Sequence, residues 1–100
     1  MKNGYKIYWS AEAKENLISL IKYLEQNWSE KETSYFIKKL DKRIKLISAY
    51  PEIFPVSIKK KFVRRSILSK QITVYYSINI DRIDILSLFD VRQNPIKLKL

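Results

Sequence analysis

The segment Lys59–Ser66, KKKFVRRS, carries five cationic side chains in eight residues, with Phe62 and Val63 set among them. Cations so clustered can hold the charge that builds on phosphate oxygens in a transition state, or they can meet an anionic surface without any chemistry. Alternation along a strand puts Arg64 and Arg65 on opposite faces, so one can serve a groove while the other meets solvent or a carboxylate. For Lys59, Lys60 and Lys61 the plain alternative is a solvated run that keeps a strand edge soluble. Arg92, in FDVRQNP, can serve phosphate charge or simply pair with Asp90 or Asp84. Tyr75 and Tyr76 are adjacent and must also face opposite ways. Tyr76 shares the side of Val74 and Ile78 and is expected in the core, which leaves Tyr75 as the one placed for contact.

Composition narrows the chemistry. The chain has no cysteine and no histidine, which removes the thiolate nucleophile, the usual general base and the commonest zinc ligand together. A metal would have to come from carboxylates such as Asp81, Asp84 and Asp90, a poor prospect in a chain of net charge +10, so neither metal nor cofactor is expected. The charge is unevenly placed. Residues 1–35 hold five Lys and five Glu, residues 36–70 hold eleven Lys/Arg against Asp41 and Glu52, and residues 71–100 hold four basic and three acidic groups. Such asymmetry points to an anionic partner. The opening MKNGYKIYWS lacks an apolar signal core, and no run is long enough to span a bilayer, so a cytoplasmic protein without a membrane role is expected. The basic face of the second helix could lie on anionic lipid, but its apolar stripe is needed by the sheet.

At 100 residues, 46% of them hydrophobic, the sequence fits one domain over 1–100. Tyr5–Trp9 alternates and is rich in strand formers. Ser10 then caps a helix to about Trp28, whose apolar face is Leu17, Ile18, Leu20, Ile21, Leu24 and Trp28. Ser29 with Glu32 three residues on forms a capping box for a second helix, which ends before Pro51. Its stripe is Phe36, Ile37, Leu40, Ile44 and Ile47, opposite a face carrying Lys38, Lys39, Lys42, Arg43 and Lys45. After the loop PEIFPVS come three strand-like runs, Lys61–Leu68, Ile72–Ile78 and Arg82–Phe89, joined by links short enough for an antiparallel meander. The order is β-α-α-β-β-β, an α+β domain with a helical hairpin packed on a small antiparallel sheet.

The series WSAEAKENLISLIKYLEQNW, YPEIFP and VRRSIL…ITVYYSINIDRIDILSLFDVRQNP resembles the RelE/ParE family of bacterial toxin–antitoxin toxins, over Tyr5 to about Pro95. The resemblance implies a small basic toxin of a type II system, inhibiting an essential process and neutralised by an acidic antitoxin that wraps its sheet and groove and joins it into an oligomer. One branch of the family cleaves messenger RNA on the ribosome. By that likeness Arg64, Arg65 and Arg92 would stabilise phosphate charge, with Lys60, Lys61 or Asp90 handling protons. This chain departs from that pattern. Thr73 stands where a middle arginine would fall, and no tyrosine or histidine follows Tyr76. The other branch, ParE-like, poisons DNA gyrase by binding it, and its long paired helices and Pro-bounded loop match better. The expectation is therefore a binding toxin, with Lys59, Lys60, Lys61, Arg64, Arg65, Tyr75 and Arg92 meeting target or antitoxin. A metal-independent endoribonuclease is the alternative, and a decayed toxin that keeps only antitoxin binding is a third.

Overall fold

In the computed structural model, which describes residues 4–91, four strands and two long helices form two layers. The order is β1 (Lys6–Trp9), α1 (Ala11–Asn27), α2 (Glu30–Ala49), one 3-10 turn (Pro51–Ile53), β2 (Arg64–Ile67), β3 (Ile72–Asn79) and β4 (Arg82–Asp90). The sheet runs β1-β4-β3-β2. β2, β3 and β4 form the expected antiparallel meander, but β1 lies parallel to β4, Lys6 opposite Arg82 and Trp9 opposite Ile85, so the sheet is mixed. The long α-helical excursion between β1 and the meander allows this, because a parallel pair needs a crossover and not a tight turn.

Local chemistry sets the helix ends. Ser10 Oγ accepts from the Ala13 amide, 3.0 Å, and begins α1. The capping box at Ser29 is complete: the Glu32 amide donates to Ser29 Oγ and the Ser29 amide donates to Glu32 Oε1, both at 3.1 Å. Pro51 then cannot continue α2 and opens the 3-10 turn instead. Each helix buries only part of the apolar face read from its sequence. Leu20 and Leu24 of α1, and Phe36, Leu40 and Ile47 of α2, enter the core with Ile72, Val74, Tyr76, Ile83, Ile85 and Leu88. Ile18, Trp28 and Ile37 stay exposed. Gly4, with φ +95°, lets the chain enter β1 against α2, since a Cβ there would lie 2.7 Å from Ser48 Oγ. Ser48 then clamps β1, its carbonyl accepting from the Tyr5 amide at 2.9 Å and its hydroxyl donating to the Tyr5 carbonyl at 2.6 Å.

A β-bulge interrupts the β3–β4 ladder. Tyr75 faces Ser87 and Tyr76 faces Ile85, which leaves Leu86 as the extra residue. β1 has ended by this point, and α1 occupies the exposed edge of β4. Ser10 Oγ donates to the Leu86 carbonyl at 2.9 Å, and Asn16 Oδ1 accepts from the Leu88 amide and the Ser87 hydroxyl, both at 3.1 Å.

Candidate functional site

The residues before β2 do not form the strand expected from Lys61 onward. Val56 bridges Arg64, the Arg65 amide donates to the Pro55 carbonyl at 3.0 Å, and the Ser57 amide donates to the Val63 carbonyl. The chain between, Ser57–Val63, is therefore a hairpin-like arm whose base is anchored on β2. Val63 is fully buried at that base, whereas Phe62 is 73% exposed at the tip beside Lys59, Lys60 and Lys61. One basic residue fewer thus enters the sheet edge than the run Lys61–Leu68 suggests: Arg64 and Arg65 do, and Lys61 does not.

Those two arginines part company. Arg64 pairs with Tyr76 and Arg65 with Tyr75, so Arg64 lies on the helix side and Arg65 on the outer side. Arg64 Nη1 donates to the carbonyls of Phe54 at 2.7 Å and Glu52 at 3.3 Å. It thereby ties β2 to the Pro51–Phe54 turn, a partner that the sequence reading did not include among solvent, groove or carboxylate. Tyr76 OH donates to the Pro51 carbonyl at 2.5 Å and meets the Phe54 ring edge-on, centroids 6.5 Å apart. Burial pushes the Tyr76 phenol up to about 12, opposed by the nearby Arg64 charge.

Arg43 joins this seam and was missed, because its spacing placed it with the lysines of the solvated face of α2. Its Nη1 donates to Ser66 Oγ and to the Ile67 carbonyl, both at 2.7 Å, and its guanidinium sits 5.3 Å from the centre of the Phe54 ring. Ser66 is fully buried, so its hydroxyl needs a partner inside the protein, and Arg43 supplies it.

On the outer side, Tyr75 is only 7% exposed, so it is not the displayed contact expected of it. Burial raises its phenol from the usual value, with Arg65 opposing. Arg65 packs beside it with Nε buried and without a hydrogen-bond acceptor. Nearer β1 the same face carries Arg82, 3.3 Å from Asp84 and stacked 4.8 Å from the Tyr8 ring centre. Asp90 is 5% exposed and lies opposite Ile72, about 13 Å along the strand from the level of Tyr76 and Arg64. Arg92 lies outside the described residues. The candidate cations therefore fall into three places: a structural seam, an outer face and an arm.

Comparison with known proteins gives this arrangement a family. A family model described as the ParE toxin of the type II toxin–antitoxin system parDE matches residues 7–95. The fold is similar to a chain of the chromosomal ParDE TA system from P. aeruginosa, with TM-score 0.74 and 11% identity over 89% of this chain and 98% of that one. It is also similar to the YoeB dimer from Staphylococcus aureus, TM-score 0.60 and 19% identity over 85% and 94%. A chain of the E. coli DinJ–YafQ toxin–antitoxin complex gives TM-score 0.60 and 11% identity over 91% and 97%. No curated protein matches in sequence. The family match spans nearly the whole domain, from β1 past the end of β4, and this chain belongs to the ParE toxin family, as the toxin of a type II toxin–antitoxin system.

Proposed function

We propose that this toxin arrests growth by binding an essential cytoplasmic target, DNA gyrase by analogy with its family, and that an acidic antitoxin neutralises it in a joint oligomer. The observation that carries the reading is the dispersal of the cations. A ribonuclease needs a proton acceptor, a proton donor and a phosphate clamp around one scissile bond. Here Arg64 is committed to the Pro51–Phe54 turn, Arg65 faces the other side of the sheet, and Asp90 is buried a dozen or so ångströms away along the strand. Both resolved tyrosine shifts move upward, away from the neutral range in which a general base works.

An acidic antitoxin suits the surplus of positive charge in residues 36–70, which includes the exposed Lys38, Lys42 and Lys45 of α2. The DinJ–YafQ neighbour is itself a toxin–antitoxin complex. The test is inducible expression in a bacterial host with DNA and protein synthesis pulse-labelled in parallel. DNA synthesis should stop first, with broken chromosomes. Translation stopping first, with new transcript ends that vanish in Arg65→Ala/Arg92→Ala, would establish the nuclease reading instead.

A further inference from the structure

The arm stands out in a molecule whose other apolar groups are mostly gathered between helices and sheet. Ile58 is 91% exposed and Phe62 73%, and between them lie three exposed lysines. The base is rigidly tied. The Val56–Arg64 bridge, the Arg65 amide to Pro55 and the Val63 amide to Lys60 at 3.1 Å hold it, while Ser57 is buried and its hydroxyl accepts from the Lys59 amide at 3.2 Å. An anchored loop that holds two large apolar side chains in water has already lost the freedom that binding would otherwise remove.

A second apolar tip lies at the same end of the sheet. Arg64 at the arm's base pairs with Tyr76, three residues before Asn79 and the β3–β4 turn. In that turn Ile80 is 99% exposed with φ +34°, a left-handed conformation that a β-branched residue adopts only under strain. Asparagine would fit the backbone better, and folding alone gives no reason for isoleucine.

We propose that the Ser57–Val63 arm, with Ile80 beside it, grips the toxin's protein target, inserting Ile58 and Phe62 into an apolar recess rimmed by carboxylates. The inference rests on the binding-toxin reading and names the surface that performs it. Charge and shape select this occupant. Three lysines ask for an anionic partner and steer encounter with it. The aliphatic Ile58 and Ile80 ask for an apolar recess, which phosphates and sugars do not provide. Apolar anchors at the centre of a charged rim are how most binding energy is concentrated at protein interfaces.

The experiment uses the full chain, with Ile58→Ser/Phe62→Ser as the main variant and Lys59→Glu/Lys60→Glu/Lys61→Glu as the second. Because every altered side chain is at the exposed tip, thermal midpoints should stay within about 2 °C of wild type. Growth arrest, binding to purified DNA gyrase and binding to the purified cognate antitoxin are measured together. The main variant should lose gyrase affinity about 30-fold or more and relieve arrest, while antitoxin affinity changes by about twofold or less. The lysine variant should slow association and flatten its dependence on salt. Ile80→Asn should weaken target binding less while raising the thermal midpoint, through relief of strain.

Arrest and gyrase affinity unchanged in the main variant would overturn the proposal. So would antitoxin affinity falling as steeply as arrest, which would make the arm an antitoxin site. Arrest relieved with wild-type protein that does not bind gyrase would support the arm while removing gyrase as the target. Loss of RNA cleavage or RNA binding in the same variants would replace the protein partner with nucleic acid, and overturn it too.

Discussion

The two sides of β2 put the same residue type to opposite uses. On the helix side, Arg43 and Arg64 hold neutral acceptors: the carbonyls of Ile67, Phe54 and Glu52 and the hydroxyl of Ser66. On the outer side Arg65 lies against Tyr75 with a buried nitrogen unanswered, and below it the arm lifts three lysines into solvent. Among the described residues the ion pairs are Lys45–Asp41 and Arg82–Asp84, neither of them in the seam or on the arm. A guanidinium whose Nη1 is bound to carbonyls keeps its full charge, but its place is set by the fold and not by a substrate. Charge density along the sequence therefore overstates how many cations are available for function, and the difference between seam and surface can be tested one residue at a time.

Arg43 should give the largest effect. Arg43→Ala removes two charge-assisted hydrogen bonds and the stack on Phe54, and leaves the buried Ser66 hydroxyl without its donor. The expected loss is about 2–3 kcal/mol, or roughly 10–20 °C in the thermal midpoint of a domain this size. Arg43→Lys should recover only part of this, since a point donor cannot serve two acceptors and lie flat on the ring. A melt within about 2 °C of wild type would show that the seam is ornamental and erase the distinction from the arm.

Tyr76 sharpens the same side with pH. Tyr76→Phe loses the hydrogen bond to the Pro51 carbonyl, an expected cost of about 1–2 kcal/mol at neutral pH. The native phenol titrates at about 12, against 10.0 for the free group. The unfolded chain therefore ionises first, and its protons are lost before those of the native state. Stability from this group is fully present below pH 10 and falls as pH rises toward about 12, by at most about 2–3 kcal/mol. Denaturant titrations from pH 8 to 12 should show this fall in wild type and a shallower one in Tyr76→Phe. Equal slopes would place the phenol in water.

The fold was largely legible because its signals are local. Ser10 and the Ser29–Glu32 box mark helix starts, Pro51 marks a stop, and strict alternation marks β3. What escaped depends on contacts distant in sequence. The parallel placement of β1 follows from α1 reaching the edge of β4 through Ser10 and Asn16, and neither residue announces that partner. The bulge at Leu86 hides in an unbroken run of strand formers, and it coincides with three successive buried residues, Val74, Tyr75 and Tyr76, where alternation alone exposes the middle one. The start of β2 was misplaced because Phe62 and Val63 look alike to a pattern, although a turn at Lys60–Val63 buries one and displays the other. For the site, sequence located the basic segment but could not divide it, since whether an arginine is structural depends on which carbonyls come within reach.

The smallest expected effect on stability is at Arg65, and it is the one that separates the two sides most sharply. A buried donor without an acceptor carries a desolvation penalty with no compensating bond, so deleting it removes a cost along with some packing. Arg65→Met keeps most of the apolar stem over Tyr75, and its thermal midpoint should match wild type or rise slightly, within about 0.5 kcal/mol. Its effect on binding should be larger, because an acidic antitoxin lying on the outer face would meet this charge directly. Calorimetric titration against the antitoxin should show affinity falling about tenfold with a reduced dependence on salt. Arg64→Met should show the reverse, a clear loss of stability with antitoxin affinity nearly unchanged at temperatures where the variant is folded. If Arg65→Met unfolds as readily as Arg64→Met, the outer arginine is as structural as its neighbour, and the positive charge that meets the antitoxin lies elsewhere, on α2.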